Sequence, residues 1–403
     1  MTSPSRPLVF LHVGAPKTGT TYLQDVLWRN RDALRMQGVS YPGSTPDAQF
    51  LAAQDLLEIS FHEQVNPRVT GAWDRVIAEA RGATKAVVIS HELLSLAAAH
   101  GVARAMRDLS FAAEVHIVYT ARDLGRQIPS VWQEDLKNRH AVSFQRFVRG
   151  VSGEDPDPHW LAGLFWRWQN MQQILQTWGT DLPPERVHVV TVPPAGGPPG
   201  QLWERFATAT GIDPAWCNSA LARTANSKLG VVEANLLRRL NPRLSTEFDW
   251  PAYEQWVKNE LAVGILGARP DPVPLVLPAQ EHDWVLERSA AVVRTLSERR
   301  YDVVGDPADL LPAVATSGGR HPDDASDAEL LDAACDVLVA FLRGLAGQAA
   351  GTTDPDAPPP PDMLPPMVLF RLGVQRLSRD HRSVALLRTA LAKAKLARSR
   401  LSR

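Results

Sequence analysis

The sequence predicts an α/β fold: a three-layer arrangement in which helices cover both faces of a central parallel sheet. Three observations predict it. Short apolar runs at Leu8–Val13, Ala86–Ser90, Val115–Ala121 and Val187–Val192 alternate with segments of helical periodicity. Within each run the apolar residues are nearly continuous, as in strands buried on both faces. The residues with the most distinctive chemistry, Lys17, His91 and Arg122, each follow the end of a run. In parallel sheets ligands bind outside those carboxyl ends.

Taken in order, Leu8–Val13 is bounded by Gly14 and Pro16, which end it as a strand. A helix over Thr20–Leu34 follows, because Tyr22, Leu23, Val26, Leu27 and Leu34 recur at threes and fours. Further helices are expected near Thr70–Ala80, Gly101–Leu109 and Arg126–Lys137, interleaved with the second and third strands. Trp160–Trp178 reads as one helix, and its Trp160, Trp166, Trp168 and Trp178 as core packing rather than an aromatic binding box. After the strand at Val187–Val192, Pro193–Gly200 is a loop and Leu202–Thr210 a helix. A helix through Asn241 opens near Arg223–Gly230, residues 245–310 look helical, and Tyr301–Gly305 ends them. The stretches 41–70 and 135–165 carry no readable signature.

Composition bounds the function. The chain has 403 residues, 44% hydrophobic and 22% charged, enough for one large core with additions. Two cysteines, Cys217 and Cys335, make no disulfide framework and suggest a reducing compartment. Neither lies in a metal-ligand pattern, so no metal is expected. No apolar signal segment precedes the first strand, and no run approaches a membrane span, which points to a cytoplasmic protein. A chain at net charge −1 gives no reason to expect nucleic acid.

The segment Gly14-Ala15-Pro16-Lys17-Thr18-Gly19-Thr20-Thr21 joins the first strand to its helix and suits an anion. Free N–H groups and the dipole at a helix N-terminus hold negative charge. Gly14 and Gly19 let the backbone bend toward it, and Lys17 adds a mobile point charge. The nucleoside-triphosphate loop G-x-x-x-x-G-K-[ST] needs its lysine directly after the second glycine. Thr20 stands there, which counts against an ATPase or kinase. Downstream, Val118-Tyr119-Thr120-Ala121-Arg122-Asp123 ends a strand, and Ser130 lies eight residues beyond Arg122. A guanidinium fork can grip two phosphate oxygens and a hydroxyl fill a third contact; the plainer alternative is an Arg122–Asp123 ion pair with Ser130 as an ordinary helix residue.

On these two segments, Pro16–Thr21 and Arg122 with Ser130, the sequence resembles soluble bacterial sulfotransferases that use 3′-phosphoadenosine-5′-phosphosulfate (PAPS). The resemblance implies a P-loop-like three-layer fold and transfer of a sulfuryl group from PAPS to a hydroxyl or amine. The acceptor would be a small molecule or carbohydrate, the product adenosine 3′,5′-bisphosphate, and no metal would be required. It assigns Pro16, Lys17, Thr18, Gly19, Thr20, Thr21, Arg122 and Ser130 to the nucleotide, with Lys17 also catalytic. A basic loop closes over the nucleotide in this family, so Arg223 or Lys228 is a further contact; an N-cap role for Asn226 and Ser227 is the alternative there. For the base, the family's histidine at a comparable strand end favours His91 over its neighbour Glu92, with His62 and Glu63 remote. A P-loop kinase or NTPase and a non-catalytic nucleotide-binding descendant stand as alternatives.

The chain organises as a sulfotransferase-like domain over 1–315, a helical extension over 316–350 with a helix at Ala328–Leu345, a Pro-rich linker over 351–366 and a basic tail over 367–403. The tail holds ten Lys/Arg against one acid, Asp380, for a net +9, whereas residues 1–366 carry −10. Leu377, Val384, Leu387 and Leu391 give it an apolar stripe, so peripheral contact with an anionic membrane competes with a solvated or docked helix. Oligomeric state leaves no mark.

Overall fold

A computed structural model describes residues 6–61, 66–222, 228–244, 248–313 and 320–351, with side chains to 346. The chain divides into two units, the second beginning at residue 335. In the first, six strands make one parallel sheet: Leu8–His12 (β1), Val39–Ser40 (β2), Ala86–Ser90 (β3), Glu114–Ala121 (β4), Val187–Thr191 (β5) and Asp302–Val304 (β6). Their order is β2-β3-β1-β4-β5-β6. β1 lies in the middle, with Leu8 beside Ala86 on one side and Glu114 on the other.

Successive side chains of a strand point to opposite faces, and here both faces are apolar. One layer comprises Thr20–Arg29 (α1), Arg31–Met36 (α2) and, later in the chain, Gln201–Thr210 (α10). It packs Leu23, Val26, Leu27 and Phe206 onto Phe10, Val88, Val118 and Val190. The other face carries Ala48–Leu57 (α3), Ala72–Ala80 (α4), Ala99–Asp108 (α5), Met171–Gly179 (α9) and His282–Arg299 (α13). Trp73, Ile77, Trp178 and Leu296 there cover Val9, Leu11, Ile89, Ile117 and Tyr119. Burying one such side chain fully contributes about 1.5–3 kcal/mol, so this double-sided core fixes where the strands end. The remaining helices are Leu124–Lys137 (α6), Phe144–Ser152 (α7), Trp160–Gln169 (α8), Val231–Leu244 (α11), Trp250–Ala252 (α12) running into a π-helical stretch Tyr253–Ile265, and Asp327–Gly351 (α14).

Two expected helices are each two. Asn30 divides Thr20–Leu34: its side chain bonds back to Val26 O at 2.8 Å and accepts from Asn218 N at 2.9 Å. Asn170 divides Trp160–Trp178, leaving helical geometry and capping α9 through Gln173 N. The tryptophan set divides too. Trp178 is buried and donates to Leu94 O, whereas Trp160 is 56% exposed and belongs to no core. β2, β6, α3 and α7 were not anticipated as elements. The linker and the basic tail lie outside the described residues.

Candidate active site

The loop between β1 and α1 is fixed by its own backbone and by three neighbouring strands and helices. Gly14 and Gly19 have φ of 131° and 89°, in the left-handed region that favours glycine. At Gly19 a side chain is disfavoured twice over, since besides the positive φ a Cβ would lie 2.4 Å from Leu202 Cδ2, which would have to move. Gly19 also begins α1 with no side-chain cap, so the helix presents its N-terminal N–H groups unblocked by a side chain. Thr18 Oγ1 donates to Ala15 O and shares a hydrogen bond with Thr120 Oγ1. His12 continues that chain, with Nε2 3.1 Å from Thr120 Oγ1 and Nδ1 2.8 Å from Ser90 Oγ. A hydrogen-bonded row thus ties β3, β1, β4 and the loop together, and burial holds His12 neutral, with its pKa down at about 4. From the helical side, Gln127 and Gln169 both donate to Pro16 O.

These contacts sort the loop residues. Thr18 and Thr20 are buried, and the Thr18 hydroxyl is used within the loop; Thr21 is exposed. Lys17 holds φ of 66°, uncommon for a side chain with a Cβ. Its carbonyl accepts from Arg122 Nη1 at 3.0 Å, and its Nζ donates to Glu134 Oε2 at 2.7 Å.

Arg122 leaves the end of β4 and reaches Ser130 Oγ with the same Nη1, at 3.1 Å. Ser130 in turn donates to Arg126 O, one turn back in α6. The plainer Arg122–Asp123 ion pair is not what the structure contains: Asp123 caps α6 through Arg126 N and pairs with the Arg126 guanidinium. Burial, with Arg126 nearby, lowers the Arg122 pKa to about 10, so it stays a cation at neutral pH. Its Nε is buried without a partner, a donor left unused. Arg122 also lines a cavity of about 60 Å³ together with Thr18, Gln127, Gln169, Trp166 and Ser289; Gln127 Oε1 and Ser289 Oγ are likewise buried without a partner.

His91 and Glu92 follow β3 and leave it on opposite sides. His91 lies 5.3 Å from the Phe50 ring of α3, and its Nδ1 accepts from Leu93 N at 3.1 Å. A neutral imidazole so bonded carries its proton on Nε2. Burial lowers its pKa. Glu92 turns toward α1, where Gln24 Nε2 donates to it at 3.1 Å. Burial works to raise its pKa, but His91 foremost, then backbone and Gln24 hydrogen bonds, leave it lowered.

One part of the site escaped sequence reasoning. Glu134 also faces Lys258 of the π-helical stretch, whose Nζ is 3.5 Å from Oε1. Burial would raise the Glu134 pKa, yet Lys17, then Lys258 and Lys137, bring it down to about 2. Beside it, burial and Glu134 push Asp135 up to about 8, and burial brings Lys137 down to about 8. The available signal was Glu134 at four residues from Ser130, the same helical face. Arg223, Asn226, Ser227, His62 and Glu63 lie outside the described residues; Lys228 is exposed.

Among the described residues no group of three His, Cys, Asp or Glu side chains could hold a metal, and no helix is long and apolar enough to cross a membrane. No family model matches the chain, and no curated protein does. Among solved structures, a sulfotransferase from Alicyclobacillus acidocaldarius is similar at 14% identity and a TM-score of 0.36, over 62% of this chain and 99% of that one. Both figures are low, and the likeness decides nothing about the chemistry.

Proposed function

We propose that the chain is a PAPS-dependent sulfotransferase. The observation that carries the reading is the Arg122–Lys17–Ser130 junction: one guanidinium joins the anion loop to a hydroxyl eight residues along, with its Nε still unused. The residues fit a nucleotide with phosphates at both ends. Arg122 and Ser130 address a 3′-phosphate, and the uncapped α1 terminus with Gly19, Thr20 and Thr21 addresses the 5′-phosphate. PAPS, when bound, supplies an activated sulfuryl group. Lys17 offsets the charge that grows on the bridging oxygen as the sulfur–oxygen bond breaks, the electrostatic help that is often the largest catalytic contribution. The acceptor oxygen or nitrogen forms the new bond to sulfur, and its proton passes to a base of the chain.

The base is assigned to the His91–Glu92 pair. Imidazole chemistry speaks for His91, although burial lowers its pKa, and the lowered pKa of Glu92 makes that carboxylate the weaker base. Two contacts speak for Glu92, which is our choice: it lies on the side of α1, and Leu93 N–H occupies the one ring nitrogen of His91 able to accept. The deciding test of function is turnover of sulfur-labelled PAPS against a panel of alcohols, sugars, phenols and amines. Transfer of label to an acceptor, abolished by Lys17→Ala, is the expected result; a folded chain that binds adenosine 3′,5′-bisphosphate and transfers nothing would instead be a non-catalytic nucleotide binder.

A further inference from the structure

Lys17 rests on a carboxylate that the anion reading does not use. Its Nζ donates to Glu134 Oε2 at 2.7 Å, and both side chains are 29% exposed. The other oxygen of the same carboxylate already faces a second ammonium, Lys258 Nζ at 3.5 Å, which is anchored on Asn138 Oδ1 at 2.8 Å. The pair is only partly exposed, so its strength is moderate and not negligible, and an incoming phosphate carries more charge than a carboxylate. The Lys17 backbone is held by Arg122 at its carbonyl, so only the side chain needs to swing. Stripping the lysine from a part-buried carboxylate would be costly without a replacement, and Lys258 stands ready as one.

We propose that Glu134 is the resting counter-ion of Lys17, that an anionic nucleotide draws Lys17 off it, and that Lys258 takes over the vacated carboxylate. This rests on the sulfotransferase reading for the identity of the nucleotide. Glu134 therefore competes with the nucleotide for Lys17, and Lys258 aids binding without touching the ligand.

The test is calorimetric titration of adenosine 3′,5′-bisphosphate into the full chain and into Glu134→Gln, Lys258→Met and the double variant, each checked for folding by thermal melting. Glu134→Gln should tighten binding about three- to fivefold, the range of a part-exposed ion pair. Lys258→Met should weaken it by a similar factor, and that loss should vanish in the Glu134→Gln background. Weaker or unchanged binding by a folded Glu134→Gln overturns the competition. An equal loss for Lys258→Met in both backgrounds overturns the relay, because Lys258 then contacts the nucleotide itself. Acetic anhydride labelling of the free chain checks the resting pair without any nucleotide: Lys17 should label faster in Glu134→Gln, and an unchanged rate overturns the pair. If the wild-type chain binds no bisphosphate while that labelling change appears, the sulfotransferase reading and the exchange fall, and the ion pair stands.

Discussion

Arg122 Nη1 lies 3.1 Å from Ser130 Oγ and 3.0 Å from the Lys17 carbonyl, so one terminal nitrogen joins the end of β4, the middle of α6 and the loop after β1. A loop more than a hundred positions upstream is thus pinned to a strand end and helix that lie eight residues apart.

Removing that group should be read most clearly in selectivity. The wild-type chain should be stabilised thermally by adenosine 3′,5′-bisphosphate far more than by AMP or by ATP with Mg²⁺. Arg122→Ala should erase the preference over AMP, and Ser130→Ala should cut bisphosphate affinity by about fivefold, the worth of one hydrogen bond of about 1 kcal/mol. Equal melting shifts with AMP and the bisphosphate in the wild type would sink the 3′-phosphate assignment.

A side chain at Gly19 should cost stability. Gly19→Ala forces a methyl to 2.4 Å from Leu202 Cδ2 at φ of 89°, so a loss of about 1–3 kcal/mol is expected in denaturant unfolding. Adding Leu202→Ala should restore part of it, because the clash goes and the backbone penalty stays. Full recovery would mean that the left-handed conformation costs nothing.

Acid should weaken the fold through His12. Its pKa of about 4 in the folded chain, against roughly 6.5 unfolded, means that the unfolded chain binds the extra proton first as pH falls. The contribution is whole above pH 6.5 and drains away down to about pH 4, by roughly 3 kcal/mol in all. Comparing urea midpoints of wild type and His12→Gln across that window isolates it. Parallel pH profiles for the two proteins would show that His12 is not the group responsible.

The base assignment turns on two variants assayed with an acceptor found by the PAPS panel. Glu92→Gln should lower kcat by about 10²-fold, the range for a lost general base, with bisphosphate affinity kept. His91→Gln should retain most turnover. The opposite ranking in folded proteins would return the role to His91.

For the tail, a full-length chain should sediment with anionic vesicles at low salt and a chain ending at residue 351 should not, with release as ionic strength rises. Indifference of both to lipid charge would leave the +9 segment without a membrane role.

What the sequence disclosed follows from where each residue's partners lie. β1, β3, β4 and β5 stood out because central strands of a parallel sheet are apolar on both faces. β2 and β6 sit at the sheet edges with two and three residues, too short for any period. α3 was hidden by Gln49 and Gln54, buried polar residues where a pattern search expects apolar ones. Gln49 is there for its hydrogen bonds, accepting from Ser90 N and donating to Pro42 O. In the candidate site, Lys17, Arg122 and Ser130 were singled out by a resemblance that rests on two short segments. The Lys17–Glu134 contact spans 117 positions and the Glu134–Lys258 contact joins separate helices, so no local pattern announces either.

Ser130 and Glu134 are successive-turn neighbours on α6, roughly 6 Å apart along its axis, and each answers to a different end of the anion loop's chemistry. The helix is thereby a ruler. A shift of α6 that brings Ser130 nearer to Arg122 must also carry Glu134 relative to Lys17, so the two contacts cannot be adjusted independently.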